Sequence, residues 1–187
     1  MPNKQMVAKR VLRLCGWVIL CALSAHGQRH STAISEAEEE KIRDAAADPA
    51  HRVVVFQEII ETRVQRMQSI LADKRAQGRR EDLKQNMEEI AGLVDEFEDN
   101  LEEYDKAHRD LRKPLPKLVT AMERWESVLK QPPVDDSYEL TRKLALETVS
   151  DVKSEVTEMI PAQAAYFKAH PPDKDANPGG VGEIHHE

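Results

Sequence analysis

Residues 83–111 read LKQNMEEIAGLVDEFEDNLEEYDKAHRDL, and the spacing of their apolar side chains is the clearest indication of the fold. Apolar side chains, joined by one histidine, recur in it at alternating steps of four and three residues. The positions are Leu83, Met87, Ile90, Val94, Phe97, Leu101, Tyr104, His108 and Leu111. Such heptad spacing is typical of an α-helix that packs along one seam against another helix. The stretch therefore predicts a long helix that continues to Leu111.

The same helix carries an acidic stretch at residues 95–105, DEFEDNLEEYD. Its seven acids all fall off the seam, which favours a solvated helix face as their role. A cation site and a docking surface for a basic partner are the alternatives. A calcium loop is not indicated, because that pattern alternates acids around a glycine. The acids of the stretch are Asp95, Glu96, Glu98, Asp99, Glu102, Glu103 and Asp105, and the candidate partner-binding residues among them are Asp95, Glu98, Asp99, Glu102 and Glu103.

A second long helix is predicted before this one. Asp48 and Pro49 form a helix start, with Asp as the N-cap and Pro at the first helical position. Gly78 is expected to end this helix. Upstream, the spacing of Ser35 and Glu38 fits a capping box, so residues 28–48 are predicted to be a flexible lead-in followed by a short helix. The seam of the second long helix is Phe56, Ile60, Val64, Met67 and Leu71.

Two further helices are predicted after the prolines at 114 and 116. The first spans residues 115–129, and the second begins at a capping-box-like pair, Asp136 and Glu139. Pro161 is expected to kink or end that last helix. Both helices are expected to be shorter than the first pair, so part of the first hairpin would protrude or dimerise. Residues 170–187 are rich in proline, glycine and polar residues and are predicted to be a disordered tail.

The predicted fold class is all-α, because no segment shows the alternation of a strand. We expect residues 49–169 to form an antiparallel bundle of about four helices with a long first hairpin. The short links predict that consecutive helices are antiparallel neighbours.

The N-terminus has the three-part pattern of an export signal. MPNKQMVAKRVLR supplies four basic residues and no acid, an apolar run LCGWVILCALSA follows, and Ala25 and Gly27 are the small residues of a cleavage site. We therefore expect residues 1–27 to be a signal peptide and the mature protein to be periplasmic or secreted. The alternative is an uncleaved segment that anchors the chain in a membrane, although a spanning helix needs about 20 apolar residues.

Charge and cysteine use bear on the possible partners and chemistry. Removing residues 1–27 takes away four basic residues and no acid, so the net charge changes from −7 to −11. This balance argues against nucleic acid and anionic lipid as general partners, since both require a basic surface. Both cysteines, Cys15 and Cys21, lie in the apolar run. The mature chain would therefore have no disulfide and no thiol nucleophile. Because the apolar run is removed with residues 1–27, the mature chain would also have no stable membrane span.

One basic cluster, the basic tip, stands where the first two long helices should join. It consists of Lys74, Arg75, Arg79 and Arg80. Complementing a helix dipole is the ordinary role of such residues. Contact with an acidic partner or with lipid headgroups is the functional alternative, and the basic tip could also bind the acidic stretch of a second copy.

No cofactor, metal or catalytic pattern is recognisable in the sequence. Asp105 and His108 resemble half of the di-iron motif of helical bundles, but the second half is missing. The histidines at 170, 185 and 186 could hold a divalent ion loosely. The patterns of haem attachment, of a serine nucleophile elbow and of a phosphate loop are absent. We therefore expect no cofactor and no enzymatic activity.

The leading functional hypothesis is an exported, non-enzymatic helical bundle that binds a protein partner or itself, as a scaffold, an adaptor or a chaperone-like module. The alternative is a bundle that binds a small ligand or a metal, such as an accessory domain of a sensor. An enzyme of an unrecognised type is the third possibility.

Overall fold

The computed structural model describes residues 34–75 and 77–171, and every regular element in these ranges is helical, which confirms the predicted all-α class. The predicted signal peptide (1–27), most of the lead-in and residues 172–187 of the predicted tail lie outside the described residues. The described helices are α1 Glu36–Asp44, α2 Pro49–Ala72, α3 Arg79–Lys106, α4 Leu115–Leu129 and α5 Glu139–Ala169, with a 3₁₀ turn at Ala45–Ala47.

Two predicted helix starts are confirmed by their hydrogen bonds. At α1, the backbone N–H of Glu38 donates to the Ser35 hydroxyl, and the backbone N–H of Ser35 donates to the Glu38 carboxylate at 2.9 Å. At α2, the Asp48 carboxylate accepts the N–H of His51 at 3.2 Å, with Pro49 in the first turn. Short polar side chains with extended backbone torsions are what a helix N-terminus needs, and the sequence supplies them.

Three other predicted boundaries are wrong. The expected pair at Asp136 and Glu139 does not cap α5; instead the Asp135 carboxylate accepts the backbone N–H and the hydroxyl of Ser137. Gly78 does not end α2 but precedes α3, with a φ of 75° that glycine adopts without strain. α5 does not end at Pro161, since the helix continues beyond it to Ala169, and the kink expected there stays a prediction.

The third wrong boundary is the end of α3, which lies at Lys106 rather than at Leu111. His108 takes a φ of 51°, and the N–H groups of His108 and Arg109 donate to the carbonyls of Asp105 and Tyr104. This is the left-handed turn that terminates many helices. Leu111 is fully buried even so, because the link that follows α3 folds back over the core.

Four helices form a ring in which α2 contacts α3, α3 contacts α5, α5 contacts α4 and α4 contacts α2. α2 and α3 are antiparallel, since Phe56 stacks on Phe97 while Arg63, later in α2, accepts a hydrogen bond from Asn86, earlier in α3. α4 and α5 form the second hairpin, in which Glu126 pairs with Lys153.

α3 and α5 are parallel neighbours. Arg80 pairs with Asp135 near the start of both helices, and the Gln163 amide donates to Asp105 toward their other ends. α3 and α4 therefore occupy diagonal corners of the ring, joined by the link at residues 107–114. The expectation that short links join antiparallel neighbours does not hold for this pair.

The core follows the predicted seams. All the seam positions of α3 from Leu83 to Tyr104 are buried, and so are Phe56, Ile60 and Val64 of α2. The expectation that both later helices are shorter than the first pair is confirmed for α4, with 15 residues, and is wrong for α5, which has 31 against 24 in α2 and 28 in α3. The first hairpin is covered along its length and does not protrude as a bare arm.

Candidate functional site

The predicted acidic residues do not share one face of α3. Asp95, Asp99, Glu102 and Glu103 are exposed and Glu98 is half-buried. Glu103 follows Glu98 by five residues, which places it about 140° further around the helix axis. Only part of the predicted set therefore forms a single surface.

Two acids of α5 complete that surface, and the sequence analysis missed both. Asp151 and Glu155 lie against the flank of α3, where Asp151 acts electrostatically on Glu98, and Glu98 and Glu102 act on Glu155. A signal for them exists: each precedes a buried seam residue, Val152 or Val156, and flanking positions meet the neighbouring helix in heptad packing. The combined surface, the acidic ridge, consists of Asp95, Glu98, Asp99, Glu102, Asp151 and Glu155.

Charges on the acidic ridge repel one another. Burial first, and then the carboxylates of Asp95, Glu102, Asp151 and Asp99, raise the pKa of Glu98 above its usual range. Burial and then neighbouring carboxylates raise the pKa of Glu155 in the same way, against the opposing effect of a lysine, Lys106. A raised carboxyl pKa means that the local environment disfavours the ionised form.

Two of the four residues of the basic tip make contacts within the bundle. The Arg79 guanidinium donates to the carbonyls of Ile70 and Leu71 at 3.1 and 3.3 Å and so completes the C-terminal end of α2. Arg80 pairs with Asp135 at 2.9 Å. Lys74, Arg79 and Arg80 line a shallow depression of about 440 Å³, while Arg75 is exposed. Two of the four predicted contact residues therefore hold helix ends together.

His108 belongs to an aromatic stack rather than to the helix seam. Its ring lies 4.0 Å from that of Tyr166, and the ring of His170 lies 4.5 Å from Tyr166, nearly parallel in both cases. Two rings at these distances must lie on opposite faces of the tyrosine, so the imidazoles are separated by its thickness. Within residues 34–75 and 77–171, no three His, Cys, Asp or Glu side chains come together as metal ligands. The predicted tail histidines 185 and 186 lie outside the described residues.

A buried polar network joins α1 to the bundle, and the sequence analysis did not find it. The guanidinium of Arg63, itself 6% exposed, makes two hydrogen bonds of 2.5 and 2.7 Å to the Glu38 carboxylate. On its other side Arg63 lies 3.2 Å from Glu89, which also pairs with Arg66 at 2.8 Å. The Arg63 hydrogen bond lowers the pKa of Glu38 to about 2.

None of the helices in the described part of the chain combines the length and the apolar character that a membrane crossing requires. The chain matches none of the protein-family models, curated proteins or solved structures with which it was compared. Arguments about function therefore rest on the surfaces themselves.

Proposed function

We propose that this protein is an exported, non-enzymatic helical bundle that acts by binding a protein partner, as a scaffold, an adaptor or a chaperone-like module. The acidic ridge carries the proposal. It draws carboxylates from two neighbouring helices onto one surface, where the pKa values of Glu98 and Glu155 are raised.

Such a surface weakens the bundle that bears it, because like charges on adjacent helices repel. Substituting neutral residues at these positions would keep the core intact, since all six acids lie outside the buried set. A basic partner would neutralise the repulsion and so bind with an electrostatic gain in association rate and specificity. Partner binding thus accounts for an arrangement that folding alone does not require.

Each segment of the chain has its own role in this proposal. Residues 1–27 act as a cleaved signal peptide, and residues 49–169 form the helical bundle. The site of action is then the periplasm or the outside of the cell. An N-terminal segment that is retained and holds the protein at a membrane is the alternative.

Cross-linking mass spectrometry on protein isolated from its native compartment tests the proposal. We expect a mature N-terminus at Gln28 and cross-links to a partner protein that involve the acidic ridge. The double variant Glu98→Gln/Glu155→Gln should lose those cross-links, while Glu58→Gln/Glu123→Gln, which removes two exposed carboxylates of α2 and α4, should keep them.

Two results would overturn the proposal. Soluble protein that retains Met1 would exclude cleavage and export by this signal. A saturable rise of many degrees in the melting temperature on adding calcium would instead make the acidic ridge a cation site.

A further inference from the structure

Two leucines of α5 are exposed to solvent. Leu140 is 72% exposed and Leu144 is 52% exposed, and they stand one helical turn apart on the same face. Every other leucine in the described part of the chain is buried or half-buried. A pair of neighbouring exposed leucines on a regular helix is an unpartnered apolar surface of the kind that marks a contact site.

The leucines continue the line of the acidic ridge. Leu144 precedes Asp151 by seven residues, and both Leu140 to Leu144 and Asp151 to Glu155 are steps of four, so all four side chains lie on one flank of α5. That flank faces α3, because Asp151 and Glu155 interact with carboxylates of that helix.

The parallel course of α3 and α5 fixes what lies opposite the leucines. Asp151 faces Glu98, so Leu144 lies at the level of the residue seven places before Glu98, which is Ala91. Ala91 is half-buried and packs on the core with its single methyl group. Two packed helices leave a groove along the line where they meet, and beside the exposed leucines Ala91 contributes only this methyl group to fill it.

This surface, the α3/α5 groove, changes character along its length. It is apolar at Leu140, Leu144 and Ala91 and acidic from Asp95 onward to Glu102 and Glu155. Leu140 and Glu155 are 15 residues apart, which is about 22 Å along the helix axis, or roughly four turns.

We propose that the α3/α5 groove binds an amphipathic helix of a partner protein, with apolar side chains in its turns beside Leu140 and Leu144 and lysines or arginines in its turns beside Glu98 and Glu155. The inference rests on the proposed function and specifies the partner. A helix laid in a groove is an established mode of peptide recognition, in which apolar residues at spacings of three and four supply the contact.

Charge complementarity selects this occupant over a second copy of the chain. The basic tip of a second copy would offer only Lys74 and Arg75, because its other two cations already make contacts within the fold. Arg79 is committed to the carbonyls at the end of α2, and Arg80 is paired with Asp135. A basic helix from another protein has no such commitments and also supplies the apolar side chains that the leucines require.

Fluorescence anisotropy with a synthetic helical peptide tests the proposal on the mature protein. The labelled probe has about 18 residues, leucines in its first two turns and lysines in its last three. A second probe has the same composition with the two halves exchanged, because the groove accepts one polarity. A third probe has glutamate in place of lysine.

Of the two lysine probes, which differ only in polarity, we expect one to bind saturably and the other to bind more weakly. The glutamate probe should not bind. Leu140→Ser/Leu144→Ser and Glu98→Gln/Glu155→Gln should each weaken binding about tenfold or more, and raising the salt to about 1 M should weaken it further. The matched controls should bind as the parent does. They are Val54→Ser, which removes an exposed apolar side chain of α2, a helix that does not line the groove, and Glu58→Gln/Glu123→Gln.

Circular dichroism and melting curves of all variants show whether the fold is kept, and the substituted leucines bury too little surface for their loss to unfold it. The proposal is overturned if the lysine probes fail to saturate, or if the control variants lose binding equally. It is also overturned if the protein sediments as an oligomer that only the groove variants dissociate, since a second copy would then fill the groove. Cross-links to a partner at another surface would refute the groove but leave the proposed function standing.

Discussion

Phe56 and Phe97 stack face to face in the core, with ring centroids 5.2 Å apart and planes inclined by 22°. Both side chains are fully buried, and together they tie the middle of α2 to the middle of α3. Each ring belongs to the predicted seam of its own helix, and residues that face each other in an antiparallel hairpin have position numbers with a nearly constant sum.

Truncating one of these rings should lower stability strongly. We expect Phe97→Ala to reduce the free energy of unfolding by about 3–5 kcal/mol, since it removes buried surface and leaves a cavity. Asp99→Ala, two residues along and exposed, should change it by less than about 0.5 kcal/mol. Urea unfolding of both variants measures the difference, and equal small losses would mean that the two helices do not share a core.

The bond between Glu38 and Arg63 should be a main attachment of α1. Glu38→Gln leaves the buried guanidinium without one of its carboxylates, and we expect a loss of about 3–5 kcal/mol, the range for breaking a buried pair. The neighbouring variant Glu39→Gln, whose partner Arg43 is exposed, should lose under about 1 kcal/mol. Urea unfolding gives both values. If Glu38→Gln behaves like Glu39→Gln, α1 is not held by this pair.

Stability should pass through a maximum in mild acid. The folded pKa values of Glu98 and Glu155 are raised above the usual 4.5 by burial and by neighbouring carboxylates. Their ionisation therefore destabilises the fold at neutral pH, and stability is gained as the pH falls through the raised pKa values. The pKa of Glu38 is lowered from 4.5 to about 2, so its contribution is complete above pH 4.5 and is lost between 4.5 and 2.

Melting temperatures between pH 7 and pH 2 should therefore rise slightly and then fall. In Glu98→Gln/Glu155→Gln the rise should be smaller, because two of the groups that cause it are gone. A stability that only declined from pH 7 downward in the parent protein would contradict the repulsion inferred for the acidic ridge.

Substitutions at His108 should separate backbone strain from ring stacking. His108→Ala keeps a left-handed backbone that costs a residue with a Cβ about 1–2 kcal/mol, and it loses the contact with Tyr166. His108→Gly loses the same contact but removes the strain. We expect the glycine variant to be about 1 kcal/mol more stable than the alanine variant in thermal unfolding. Equal stabilities would show that the turn at the end of α3 is unstrained.

The sequence was most informative where a feature depends on local periodicity. The seam of α3, the caps at Ser35 and Asp48 and the bounds of α4 all follow from spacings within a few residues of one another. The diagonal placement of α3 and α4 depends instead on how the link at 107–114 packs. The apolar spacing of a helix does not indicate which neighbouring helix covers its seam.

The acidic ridge was only half predictable for the same reason. Glu98 and Glu102 were visible as acids beside a seam. Their proximity to Asp151 and Glu155 depends on the parallel pairing of α3 and α5, which brings together residues more than 50 positions apart. The network of Glu38, Arg63 and Glu89 likewise joins three helices. In the sequence, each of these residues is indistinguishable from an ordinary exposed charge.

The diagonal link between α3 and α4 separates the chain into two hairpins that can fold independently before they dock. On either side of it, α2 with α3 and α4 with α5 are hairpins built from adjacent stretches, so each can form early through local contacts, which favour rapid folding. The parallel pairs come later, when two finished hairpins dock and residues 107–114 are drawn across the end of the ring. The docking of the two hairpins is the step that assembles the α3/α5 groove, so a hairpin that has not yet docked carries only half of that surface.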